Sequence, residues 1–165
     1  MKTLILGGAR SGKSVVAERL AERSGVPVTY VATVRLGEDQ DLVQRVAAHR
    51  ERRPPEWSTI ECGDDLADVL TSTSGTVLVD SLGPWLAALP GLRCDLDVLV
   101  AALQGRGGDT IIVSEEVGLG VHPETAVGRE FRDALGTLNQ AIAHECDDVL
   151  LVVAGRSLSL PRDAS

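Results

Sequence analysis

The chain has 165 residues, 44% hydrophobic and 24% charged, a globular balance at a length that fits one domain spanning 1–165. Its net charge of −8 and 2% aromatic content argue against a nucleic-acid partner, which needs cations against phosphates and rings against bases. No apolar run approaches the roughly 20 residues of a membrane span, and Thr3–Leu6 is too short for a signal-peptide core.

These absences point to a soluble cytoplasmic protein. The three cysteines, Cys62, Cys94 and Cys146, have neither metal-knuckle nor CxxC spacing. They read as small buried hydrophobes in a reducing compartment.

In chain order, the first expected strand is Lys2–Leu6, followed by Val28–Ala32, Thr76–Asp80, Thr110–Ser114 and Val149–Val153. Most are almost continuously apolar, the pattern of parallel strands covered on both faces. Helical periodicity falls between them, at Ser14–Arg23, Leu42–Arg53, Leu66–Leu70, Leu96–Gln104 and Val127–His144. Pro84–Leu89 follows the third strand as a further helical segment. Gly105-Arg106-Gly107-Gly108 reads as a turn, and 157–165 as a poorly ordered tail. Alternation of this kind specifies an α/β fold: a mainly parallel sheet with helices on both faces.

Gly7-Gly8-Ala9-Arg10-Ser11-Gly12-Lys13-Ser14 fits G-x-x-x-x-G-K-[ST], and lies between a buried strand and an amphipathic helix as that motif requires. Its glycines let backbone N–H groups curl around phosphate oxygens. Lys13 is expected to reach the β/γ-phosphates and Ser14 to hold Mg2+ through its hydroxyl. The chain has only two lysines, and one of them is in this loop. The fold class is therefore P-loop NTPase-like. Asp80 ends a buried strand where ligands bind in open α/β sheets, and is the second expected Mg2+ ligand; capping of the following helix is its bland alternative.

Nothing resembles the Asn-Lys-x-Asp guanine motif of switch GTPases: the one asparagine, Asn139, precedes Gln140. A small-molecule kinase stays open, since Arg50–Arg53 and Arg129-x-x-Arg132 can clamp phosphates as lid arginines do. His49 falls at the border of the Leu42, Val43, Val46, Ala47 stripe, among Arg45, Arg50, Arg52 and Arg53. Neighbouring cations disfavour its protonated form, as a nucleophile attacking an α-phosphate requires. Periodicity alone favours the bland reading, a half-exposed surface histidine on a basic helix face.

The order Gly7–Ser14, Tyr30-Val31-Ala32-Thr33, Arg45-Val46-x-x-His49-Arg50-x-x-Arg53-Pro54 and Trp57-x-Thr59-x-Glu61 resembles one enzyme family. So do Val77-Leu78-Val79-Asp80, Ser114-Glu115-Glu116-Val117-Gly118-Leu119-Gly120-Val121-His122-Pro123-Glu124, and Arg129–Asp133 with Gly136, Asn139 and Gln140. The family is the bifunctional adenosylcobinamide kinase/adenosylcobinamide-phosphate guanylyltransferase family of cobalamin biosynthesis.

The resemblance runs from Thr3 to about Gly155 and implies two reactions at one nucleotide site. ATP or GTP phosphorylates adenosylcobinamide. GTP then guanylylates His49, and GMP passes to adenosylcobinamide phosphate, giving adenosylcobinamide-GDP and pyrophosphate. Lys13 joins His49 as catalytic. The implied nucleotide contacts are Gly7, Gly8, Ala9, Arg10, Ser11, Gly12, Lys13, Ser14, Thr33, Val34, Arg35, Arg50, Glu51, Arg52, Arg53, Glu61 and Asp80, with Ser14 and Asp80 on Mg2+. The family pattern also implies a homotrimer. Glu115 stands where the family carries asparagine, which adds a negative charge close to the triphosphate pocket. A kinase with an idle His49, and a nucleotide-gated switch without an acceptor, are the alternatives.

Overall fold

The structure, a computed structural model, describes residues 1–25, 27–34 and 53–162. Seven strands among them form one sheet in the order β3-β2-β4-β5-β1-β6-β7. β1 is Lys2–Gly7, β2 Val28–Ala32, β3 Ser58–Glu61, β4 Thr76–Asp80, β5 Thr110–Glu115, β6 Asp148–Val153 and β7 Arg156–Ser159. All neighbours pair parallel except β6 and β7. The helices are α1 (Lys13–Glu22), α2 (Leu66–Ser72), α3 (Leu82–Ala88), α4 (Leu96–Gln104) and α5 (Ala126–Glu145), with a 3-10 turn at Pro90–Leu92. The expected helix over Leu42–Arg53 falls almost wholly outside the described residues.

Both faces of the central strands β1, β2, β4 and β5 are covered, because successive strand residues point opposite ways and most are apolar. Leu4, Leu6, Val77, Val79 and Ile112 pack toward α2, α3, α4 and α5. Ile5, Leu78, Ile111, Val113 and Val152 pack toward Ala17 and Ala21 of α1. In α5 the buried residues Leu135, Leu138, Asn139 and Ile142 form one stripe at helical spacing. Thr125 starts α5 by accepting from the Gly128 N–H, and Asp95 starts α4 by accepting from the Val98 N–H.

The expected tail is corrected: Arg156–Ser159 is a strand, antiparallel to β6. Ala154 and Gly155 both take positive φ, 52° and 74°. Two consecutive left-handed residues make the tight hairpin turn whose twist matches the flanking strands. Past β7, the Arg162 guanidinium donates to the Cys146 carbonyl at 3.0 Å and to that of His144, and so caps the end of α5.

Arg106 does comparable work at the amino ends of the central strands β4 and β5. Its guanidinium donates to the carbonyls of Leu70 and Thr73 at 2.6 Å each and of Gly75 at 2.8 Å, and to the Thr110 hydroxyl at 2.8 Å. Burial lowers its pKa. The expected glycine turn is thus pinned by a charged side chain.

Candidate functional site

The carboxyl ends of five parallel strands carry the candidate residues to one edge of the sheet. Strand register sets Gly7 beside Glu115, Asp80 beside Ala32, and Ala32 beside Glu61. Open α/β sheets bind ligands at such an edge.

The loop after β1 is shaped by two glycines. A Cβ at Gly7 would lie 2.5 Å from Ser11 Oγ and 2.7 Å from the Val152 carbonyl. Gly12 precedes α1 at φ 94°, a conformation L side chains rarely adopt. The Ser11 N–H donates to the Gly8 carbonyl at 3.3 Å, and the Gly155 N–H donates to the Ser11 carbonyl at 2.7 Å. The β6–β7 turn therefore braces the loop from outside. α1 begins with no side-chain cap, which leaves its first N–H groups toward the loop's concavity.

Lys13 folds back over the loop, with Nζ 3.3 Å from the Gly8 carbonyl and 3.5 Å from Glu115 Oε1. The next residue reaches another strand: the Ser14 hydroxyl donates to Asp80 Oδ1 at 3.3 Å. Asp80 Oδ2 accepts from the Tyr30 hydroxyl at 3.0 Å. The Arg53 guanidinium lies 3.3 Å from the centre of the Tyr30 ring, a cation–π stack. Burial first, then the Asp80 carboxylate, drives the Tyr30 pKa above the ordinary phenol range, so this hydroxyl stays a donor. Hard oxygens from Ser14 and Asp80, side by side, fit a magnesium ion, which takes few protein ligands beside substrate phosphates.

The remaining candidates divide. Thr33 is buried, and its hydroxyl donates to the Ser81 carbonyl and accepts from the Ser81 N–H, both at 2.7 Å. It clamps the segment after Asp80. Val34 is half-buried just beyond it, and Glu61 is exposed on edge strand β3. Arg35, His49, Arg50, Glu51 and Arg52 lie outside the described residues. Arg129 donates to the carbonyls of Pro123 and Glu124, and Arg132 to Asp133. Arg132 Nη1 also lies 2.8 Å from His122 Nδ1, which must accept, since a guanidinium only donates. Both arginines thus serve the loop before α5.

Sequence reasoning missed Tyr30, and it placed the Glu115 charge near the pocket without the partners that hold it. Tyr30 joins Asp80 to Arg53; its one signal was a lone tyrosine two residues short of a strand end. Glu115 joins three groups, accepting from the Ser81 hydroxyl at 2.8 Å and the Gly83 N–H at 2.9 Å while facing Lys13. A Cβ at Gly83 would run into that carboxylate. Along α5, Glu116, Val117, Arg132, Asn139, Gln140 and Arg162 line part of a cavity of about 830 Å³.

Residues 3–160 match the family model for cobinamide kinase/cobinamide phosphate guanyltransferase. The chain belongs to this family. It is 44% identical over 171 residues to the bifunctional adenosylcobalamin biosynthesis protein CobP of Pseudomonas aeruginosa, covering 97% of each chain. The corresponding CobU protein of Salmonella typhimurium is 33% identical, with 94% of this chain and 97% of that one covered.

Among solved structures, the family fold is similar to the flagellar accessory protein FlaH of Methanocaldococcus jannaschii. That likeness has a TM-score of 0.52 and 16% identity, over 94% of this chain and 74% of that one. The RadB recombinase gives 0.52 and 20% identity over 91% and 73%. At these identities the likeness concerns fold alone, and it agrees with a P-loop NTPase-like sheet. Among the described residues no helix is long and apolar enough to cross a membrane.

Proposed function

We propose that this family member phosphorylates adenosylcobinamide with ATP or GTP, and then transfers GMP from GTP through a histidine–GMP intermediate on His49. The observation that carries the reading is the juxtaposition at the strand ends. Lys13 is folded over a phosphate-shaped loop, and Ser14 and Asp80 are 3.3 Å apart beside it. The two relatives named as bifunctional adenosylcobalamin biosynthesis proteins support it over nearly the full chain.

In the kinase step the substrate hydroxyl attacks the γ-phosphorus and nucleoside diphosphate leaves. In the second reaction a His49 ring nitrogen attacks the α-phosphorus of GTP and pyrophosphate leaves. A phosphate oxygen of adenosylcobinamide phosphate then displaces the histidine, giving adenosylcobinamide-GDP. Splitting one displacement in two keeps each acceptor in reach of a fixed nucleotide. Lys13 neutralises charge on the β/γ-phosphoryl oxygens, and Arg53, with Arg50 and Arg52, supplies further cations. Magnesium on Ser14 and Asp80 would add Lewis-acid stabilisation of the phosphoryl oxygens. The remaining implied contacts, from Gly7 through Ser11 with Thr33, Val34, Arg35, Glu51 and Glu61, surround the nucleotide in this reading, and the working assembly is a homotrimer.

The test is incubation with magnesium and α-labelled GTP, denaturation, and counting of retained label. Acid-labile, alkali-stable label on the wild type and none on His49→Asn is expected, with corrinoid phosphorylation retained in the variant. No label on wild-type protein that still phosphorylates adenosylcobinamide would leave a kinase only. Absence of both label and corrinoid turnover would leave a nucleotide-gated switch.

A further inference from the structure

We propose that Glu115 is a positioning residue whose carboxylate occupies Lys13 as a phosphate would, so that an entering polyphosphate must take the lysine from it. The inference rests on reading Gly7–Ser14 as the nucleotide site and goes beyond it, by naming what the nucleotide competes with.

The four contacts of this region differ in quality. Glu115 accepts from Ser81 Oγ at 2.8 Å and from the Gly83 N–H at 2.9 Å, both ordinary hydrogen-bond lengths. Lys13 Nζ is 3.5 Å from Glu115 Oε1 and 3.3 Å from the Gly8 carbonyl, both long. The carboxylate is therefore fixed by the start of α3, and the ammonium is held without being locked. Gly83 reinforces this, because any larger residue there would displace the carboxylate.

The side chains of Lys13 and Glu115 are only 12% and 24% exposed, so their attraction is less screened than that of a surface pair. A triphosphate offers Lys13 more charge than one carboxylate does, and wins the exchange. Glu115 then stays behind on Ser81 and Gly83 as a fixed negative charge beside the phosphates. Two effects follow from one side chain: its charge weakens nucleotide binding, while its hydrogen bonds hold the segment that follows Asp80.

Two substitutions separate these effects in the full chain. Glu115→Gln removes the charge and keeps groups able to bond Ser81 and Gly83. Glu115→Ala removes both. Titration with a fluorescent GTP analogue should show about three- to tenfold tighter binding for Glu115→Gln than for wild type, in line with one weakly screened pair. Inorganic tripolyphosphate should displace the analogue with the same gain, because the competition is for charge. In steady-state assays Glu115→Gln should lower KM for GTP, whereas Glu115→Ala should lower kcat by loosening the strand end that carries Asp80.

Equal or weaker GTP binding by a folded Glu115→Gln variant would overturn the proposal while wild-type binding stands. If wild type bound no nucleotide, the reading of the loop itself would fail, and Lys13→Ala, expected to abolish binding, would show no difference from it.

Discussion

Cys146 follows the last turn of α5 and is almost fully enclosed. Burial first, then the Asp147 carboxylate, pushes its thiol up to about 12, against about 8.5 in an unfolded chain. The folded protein therefore keeps a proton that the unfolded chain releases. Below about pH 8.5 the stabilisation is complete; it drains away as pH rises toward 12, at up to about 1.4 kcal/mol per pH unit. Denaturant titrations between pH 8 and 10.5 should show a shallower loss of stability for Cys146→Ala than for wild type, whatever the offset between them. Identical slopes would remove the thiol as a cause. At this scale the sequence was read well where the chemistry is local. Gly7, Gly12, Lys13 and Ser14 are legible because a phosphate loop needs those residue types in that order. Thr33, Tyr30 and Arg106 were illegible in role, because each acts on a backbone or side-chain group that folding brings from 30 or more residues away; Glu115 was legible as a charge but not as an acceptor for Ser81 and Gly83.

Among elements, agreement followed burial. β2 and β4 have the expected limits, and α4 runs from Leu96 to Gln104 as its periodicity and Asp95 cap require. These elements are apolar on the faces they bury, so their pattern survives in the sequence. β3 is exposed along its whole length and left no such pattern. β7 is exposed too, and is defined by the Ala154-Gly155 turn that precedes it. That turn touches the phosphate loop: the Gly155 N–H bonds the Ser11 carbonyl, and Gly155 Cα would lie 3.2 Å from a Cβ on Gly12. Gly155→Val should cost about 1–2 kcal/mol, the penalty for a β-branched residue at positive φ. It should also weaken GTP binding several-fold by releasing Ser11. A variant that lost stability yet bound GTP as wild type does would show that the turn braces β7 alone.

On the scale of the whole molecule, the sheet order was not readable from strand patterns, since parallel pairing leaves no mark on an apolar run. The assembly is likewise a matter of surfaces. Leu119 is 81% and Val121 95% exposed in the segment before α5, and Val127, in its first turn, 66%. Three large apolar side chains so close in sequence suit a face buried against another copy. Light scattering coupled to gel filtration should give the mass of a trimer for wild type, and a smaller species for a Val121→Lys, Val127→Lys double variant. A monomeric wild type would remove the homotrimer from the proposed function.

The position of β1 carries one more consequence. It precedes every other strand among the described residues, yet its two neighbours, β5 and β6, begin at residues 110 and 148. During synthesis the phosphate loop emerges long before these two strands and must wait for both before its supporting strand is flanked. A ribosome paused before Thr110 would present the nucleotide motif without the scaffold that shapes it, so ligand capture waits until β5 and β6 have been made.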